Sequence, residues 1–196
     1  KILNMNTSLE VKKILISKMN NLNNGLMDKS KLKNWFNNAM KIPFGQYKGV
    51  DISTLCKKGK SKKITKFLNK LKIDMDNAIY GHDKAKEQVM IMMAQQIRNP
   101  NCKGNIFGIW GPPGNGKTSL IKEGIAKAMK KPFVFISLGG ATDASYLEGH
   151  SFTYEGSIYG RIVQGLIKSK CMDPIIYFDE LDKVSSTPKG DEIINL

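Results

Sequence analysis

The chain has 196 residues, 41% of them hydrophobic, and a net charge of +14. That length holds one ordinary domain or one with an attached piece, and the apolar content excludes wholesale disorder. No apolar run approaches the ~18 residues of a membrane span, and no signal peptide is visible. Cys56, Cys102 and Cys171 are odd in number and without motif spacing, and His82 and His150 are the only histidines. A disulfide framework or zinc site is therefore not expected, and reduced thiols are. The charge is uneven: residues 1–80 carry 17 Lys against 5 acids, whereas residues 81–196 are nearly balanced. The run Lys57–Lys63 is the basic peak, and Arg98 and Arg161 are the only arginines. A Lys-rich, Arg-poor surface fits a solvated loop better than a base-reading one, with a polyanion contact as the alternative.

In chain order, "SLEVKKILISKMNNL" puts Ile14, Leu15, Met19 and Leu22 on one helical face, with Ser8 as N-cap. "DKSKLKNWFNNAM" repeats the pattern with Leu32, Trp35, Phe36 and Met40, the two aromatics expected in a helical core. After the basic loop, "ITKFLNKLKI" places Ile64, Phe67, Leu68 and Leu71 together. Residues 1–75 thus read as a helical segment, and the texture changes near Asp76. "YGHDKAKEQVMIMMAQQIRN" predicts a helix with Ala85, Val89, Met92, Met93 and Gln96 along its packed side.

Three short apolar runs follow, each expected to be a buried strand: Asn105–Trp110, Pro132–Leu138 and Pro174–Glu180. Helices are predicted after Thr118, near Ser145–Glu148 and over Arg161–Lys170, with a last one entered at "DEIINL". Apolar strands alternating with helices predict an α/β fold with a parallel sheet over residues 76–196, preceded by an α-helical segment. Because the chain starts at Lys1 and stops inside an apparent helix, both ends are expected to be cut from a longer parent.

The stretch "GPPGNGKT" (Gly111-Pro112-Pro113-Gly114-Asn115-Gly116-Lys117-Thr118) fits G-x-x-x-x-G-K-[ST] and sits between a predicted strand and a helix that opens through Ser119. Bare backbone there lets amide N–H groups wrap a phosphate, and the helix N-terminus adds a favourable dipole. Lys117 would reach the β- and γ-phosphates of ATP, and the Thr118 hydroxyl would bind Mg²⁺. Downstream, "IIYFDE" delivers Asp179 and Glu180 from a strand end, where ligands bind in such sheets. Asp179 is expected to hold Mg²⁺ and Glu180 to polarise the attacking water.

"GPPGNGKT" followed by "FDELDK" resembles the AAA+ ATPases. The stretches Ile136–Leu166, Phe178–Asp191, Tyr80–Val89 and Leu32–Gly45 are similar, in one order, to the Lon proteases. The resemblance implies a P-loop AAA+ large subdomain, truncated, behind a helical neck. It implies an ATP-driven motor of a homo-hexamer threading unfolded protein toward a Ser-Lys peptidase domain that is not in this chain. It also implies that Tyr80 and Gly81 lie against the adenine and that Tyr154 grips substrate. Such a protein would work in the cytoplasm or the mitochondrial matrix. Two positions depart from the Lon pattern, Glu155 after the gripping tyrosine and Pro188 before Lys189-Gly190-Asp191, which puts substrate preference in doubt. The competing readings are a protease-less AAA+ remodeller, an ATPase stimulated by nucleic acid such as DNA, and a fragment carrying sites it cannot use alone.

Overall fold

The computed structural model describes residues 2–24, 29–50, 61–99, 106–150 and 159–196. These fall into two compact units, residues 1–47 with 134–196, and residues 48–133, each described by itself.

The first unit opens with a 3₁₀ turn (Ile2–Asn4) and two helices, α1 (Leu9–Asn24) and α2 (Lys29–Ala39), which pack on each other. Ser8 caps α1, its Oγ accepting from Val11 N–H at 3.3 Å, as the sequence leads one to expect. Leu15 and Leu32 are the buried anchors, whereas Ile14 and Met19 stay largely exposed. Trp35 and Phe36 are half-buried, and the Lys18 ammonium sits 5.9 Å from the Trp35 ring. Gln46 O accepts from Met172 N–H at 2.8 Å, tying the end of this helical segment to the turn before the second strand.

The rest of that unit is a two-stranded sheet with helices against it. Strands β1 (Phe133–Ser137) and β2 (Ile175–Asp179) lie side by side. Leu138 N–H donates to Asp179 O at 2.8 Å, so the carboxyl ends of both strands coincide and the pair is parallel. Helices α6 (Ser145–Glu148) and α7 (Arg161–Ser169) fill the crossover, as a parallel connection requires. Ile136, Leu138, Leu147 and Ile193 form the core, with Val134, Ile162 and Ile176 packed around it. Gly165 lets α7 lie directly on β1, because a Cβ there would come within 2.5 Å of Val134 Cγ1. A last helix, α8 (Pro188–Ile194), starts with Pro188 in its first turn and Thr187 as cap, Gly190 N–H donating to Thr187 Oγ1 at 3.3 Å. Proline fits there because a first-turn N–H has no helical partner to lose.

The second unit is helical. Helix α3 (Ser61–Ala78) buries Phe67, Leu71, Asp74 and Met75, and α4 (Asp83–Arg98) packs against it. Helix α5 begins with one α turn (Lys117–Ser119), widens to π geometry (Leu120–Ala126) and closes as α (Lys127–Met129). It approaches α3 at Gly124, where a Cβ would meet Met75 Cγ at 3.1 Å. Leu71 and Met75 are fully enclosed, which at about 1.5–3 kcal/mol per side chain makes α3 the spine of this unit.

Two expectations need correction. Residues 106–110 form no strand: no ladder partner pairs with them among the described residues, and Ile106 and Trp110 are 88% and 98% exposed. An apolar run becomes a strand only when neighbours accept its hydrogen bonds. The packed side of α4 is also shifted, for Ala85 is exposed and Lys86 is buried with Val89, Met93 and Ile97.

Candidate nucleotide site

The glycine-rich loop carries its expected geometry. Gly114 and Gly116 both have φ of 74°, a left-handed conformation that only glycine adopts without strain. A Cβ on Gly114 would meet nothing within 4 Å, and one on Gly111 only Asn115 Nδ2 at 3.9 Å. The loop therefore presents open backbone, and Pro112 to Asn115 are exposed. Lys117 Nζ donates to Gly111 O and Pro112 O, each at 2.8 Å, which holds the ammonium over the turn. An ammonium has three donors, so two carbonyl bonds leave one for an anion. Helix α5 starts directly behind, its first intrahelical bond running from Leu120 N–H to Gly116 O at 2.9 Å. First-turn amides lie ahead of the helix's own bonding pattern and suit an anion.

In the other unit, β2 ends at Asp179, and Tyr177 Oη donates to Asp179 Oδ1 at 3.4 Å. Glu180 follows in the left-handed conformation, with φ of 60°. Its Oε2 accepts from Ser137 Oγ at 3.1 Å, and its Oε1 accepts from Lys183 Nζ. Ser137 ends β1, and its carbonyl accepts from Tyr146 Oη at 2.9 Å. The Lys183 hydrogen bond first, and the Ser137 one second, hold the Glu180 carboxyl below the usual glutamate range. The same pairing raises Lys183 above the ordinary lysine value. Gly139 completes the setting, because a Cβ there would lie 2.2 Å from Glu180 Oε2.

Residues 107–195 match the family described as ATPase family associated with various cellular activities (AAA). The chain is 36% identical over 183 residues to the Lon protease of Ureaplasma parvum, covering 92% of this chain and 21% of that protein. It is 38% identical over 177 residues to the Lon protease of Helicobacter pylori, covering 84% and 19%. A Lon protease homolog of Acanthamoeba polyphaga mimivirus is 34% identical over 191 residues, covering 97% and 18%. Over residues 107–195 the chain is similar to the AAA ATPase family. It spans about a fifth of the length of the curated Lon relatives it matches.

Upstream of the AAA-matched segment, Tyr80 is fully exposed, which removes core packing as an explanation of the residue. Ile79, its neighbour, meets the last loop glycine: a Cβ on Gly116 would stand 2.9 Å from Ile79 Cγ2. The structure thus brings the Ile79–Gly81 turn beside the phosphate loop. Tyr154 and Glu155 lie outside the described residues, as do Cys56 and Cys102, while Cys171 is buried, its Sγ donating to Asp173 Oδ1 at 2.8 Å. Among the described residues no cluster of three His, Cys, Asp or Glu could hold a metal ion, and no helix is long and apolar enough to cross a membrane.

The sequence alone did not single out Ser137, Gly139 and Lys183 around Glu180, or Lys86 and Ile79 near the loop. The Glu180–Lys183 pair was visible as an i, i+3 spacing after a strand. Ser137 was not, because 43 positions separate it from Glu180.

Proposed function

We propose that the chain is the ATP-binding and ATP-hydrolysing motor portion of a Lon-like, ATP-dependent protease. In this reading residues 1–75 are a helical neck and residues 76–196 the large α/β subdomain. The observation that carries it is the bare turn Gly111–Gly116 with Lys117 held over it, in a segment similar to Lon proteases along most of its length.

Main-chain N–H groups of Gly111 and of Gly114 to Ser119 take the triphosphate, Pro112 and Pro113 shape the turn, and Lys117 neutralises the outer phosphates. Tyr80 and Gly81 flank the base. Thr118 and Asp179 are the residues that would hold Mg²⁺, and a hydroxyl with a carboxylate is the hard oxygen set that ion prefers. When bound, the ion neutralises charge on the phosphates. Glu180, kept ionised by Lys183 and Ser137, orients and polarises the water that attacks the γ-phosphate. A carboxylate with a lowered pKa is a weak base, which suits orientation of water more than full proton removal. The protein substrates would be unfolded chains, gripped by Tyr154 in a homo-hexamer within the cytoplasm or the mitochondrial matrix.

The test is a Glu180→Gln and Lys117→Ala pair in the intact protein. Glu180→Gln should bind ATP and turn it over very slowly, whereas Lys117→Ala should lose binding. Brisk steady-state hydrolysis by Glu180→Gln refutes the assignment. A second reading, an ATPase responding to polyanions, draws on Lys62, Lys66 and Lys70 lining one open groove of α3. Casein-stimulated hydrolysis favours the motor of a protease. Stimulation by DNA alone, falling steeply with salt, favours the second reading.

A further inference from the structure

Lys86 is the buried lysine of the helical unit, its residue only 7% exposed, on the packed face of α4 beside Val89 and Met93. A lysine is rarely buried without a partner, since desolvating an ammonium is costly. Here Nζ donates to Asp76 Oδ1 at 2.9 Å and to Ile79 O at 2.9 Å. One bond reaches back to the last turns of α3, and the other holds the main chain where α3 gives way to α4. That turn is the only covalent path between the two helices, and it carries two consecutive left-handed residues, Gly81 (φ 69°) and His82 (φ 58°). Left-handed geometry is strained at a non-glycine residue, so a restraint from outside the turn helps it keep this shape.

The turn faces the phosphate loop. Ile79 stands against Gly116, Tyr80 presents a fully exposed ring, and a Cβ on Gly81 would meet nothing within 4 Å. An exposed ring next to an open glycine, beside the end of a phosphate cradle, suits a flat heterocycle attached to the phosphates that the cradle holds. We propose that Lys86 is a positioning residue that sets the base-binding side of the nucleotide site, by locking the Ile79–Gly81 turn through the Ile79 carbonyl and Asp76. The inference rests on the reading of Gly111–Thr118 as the phosphate site. Its effect falls on the nucleoside end, not on the phosphates.

The experiment compares ATP with inorganic tripolyphosphate, which has phosphates and no base, by calorimetric titration of the intact protein. Losing hydrogen bonds from a charged group costs enough to predict a rise in the ATP dissociation constant of about tenfold or more for Lys86→Met. Tripolyphosphate affinity should stay within about twofold, and Lys86→Arg, which keeps the charge and its donors, should recover most of the ATP affinity. Should Lys86→Met fail to fold, Asp76→Asn carries the same comparison, with a severalfold loss for ATP and none for tripolyphosphate. Unchanged ATP affinity in these variants overturns the proposal, as does a parallel loss for both ligands, which would mean a general loss of structure. Absence of ATP binding by the unmutated protein removes the phosphate-site reading and this inference together. Normal binding by the unmutated protein with indifferent variants removes only the inference.

Discussion

Replacing Gly139 by alanine tests the role of Glu180 without touching Glu180 itself. The new Cβ would lie 2.2 Å from Glu180 Oε2 and 3.2 Å from its Cδ. A carbon and an oxygen settle at about 3.3 Å or more, so the carboxylate must retreat by roughly 1 Å. That retreat takes it away from Ser137 Oγ, now at 3.1 Å. The colliding atom is the far end of a flexible side chain that is 36% exposed, so the fold can yield cheaply. The melting temperature should move by no more than about 2 °C. Catalysis should suffer far more, because a misplacement of about 1 Å can cost up to about a hundredfold in rate. Phosphate release at saturating ATP should fall about 10- to 100-fold with ATP affinity unchanged. Two glycines serve as controls. Gly140→Ala meets nothing within 4 Å and should leave both quantities alone. Gly190→Ala would bring its Cβ to 1.8 Å from the main-chain Ser185 O, which cannot swing aside. It should cost about 1–3 kcal/mol of stability. A Gly139→Ala protein with the parent turnover number would show that the carboxylate's position does not matter to the reaction.

Other outcomes follow from the same geometry. Lys183 is the main cause holding the Glu180 carboxyl down, so Lys183→Met should let its pKa rise toward the ordinary glutamate value. Hydrolysis that needs ionised Glu180 persists, in the parent, until pH falls through that lowered value. In the variant the acid limb of the turnover profile should move to higher pH, and an unmoved limb counts against the pairing. The same sign applies to stability: the pair's contribution is present above the unfolded-state pKa and lost as pH drops through the folded one. Gly116→Ala meets both a left-handed φ of 74° and Ile79 Cγ2 at 2.9 Å. Relieving about 1–2 kcal/mol of backbone strain would require the loop to open, so the ATP dissociation constant should rise about tenfold. Titration with a fluorescent ATP analogue measures it, and parent-like affinity would show that the loop does not need this conformation.

Much of this protein was determined locally, and local chemistry is what a sequence displays. The glycines of Gly111–Gly116 encode open backbone wherever they stand, and the helices of residues 9–24, 61–78 and 161–169 announce themselves by apolar spacing. β1 and β2 were readable for the same reason, as short apolar runs between turn signals. Tertiary structure decided what depends on partners distant in the chain. Residues 106–110 are as apolar as β1, yet a strand exists only where another offers hydrogen bonds. Ser137 reaches Glu180 only because two parallel strands end at the same level. Lys86 is a buried clasp because Asp76 and the Ile79 carbonyl, brought to it by the α3–α4 turn, replace the water it gave up.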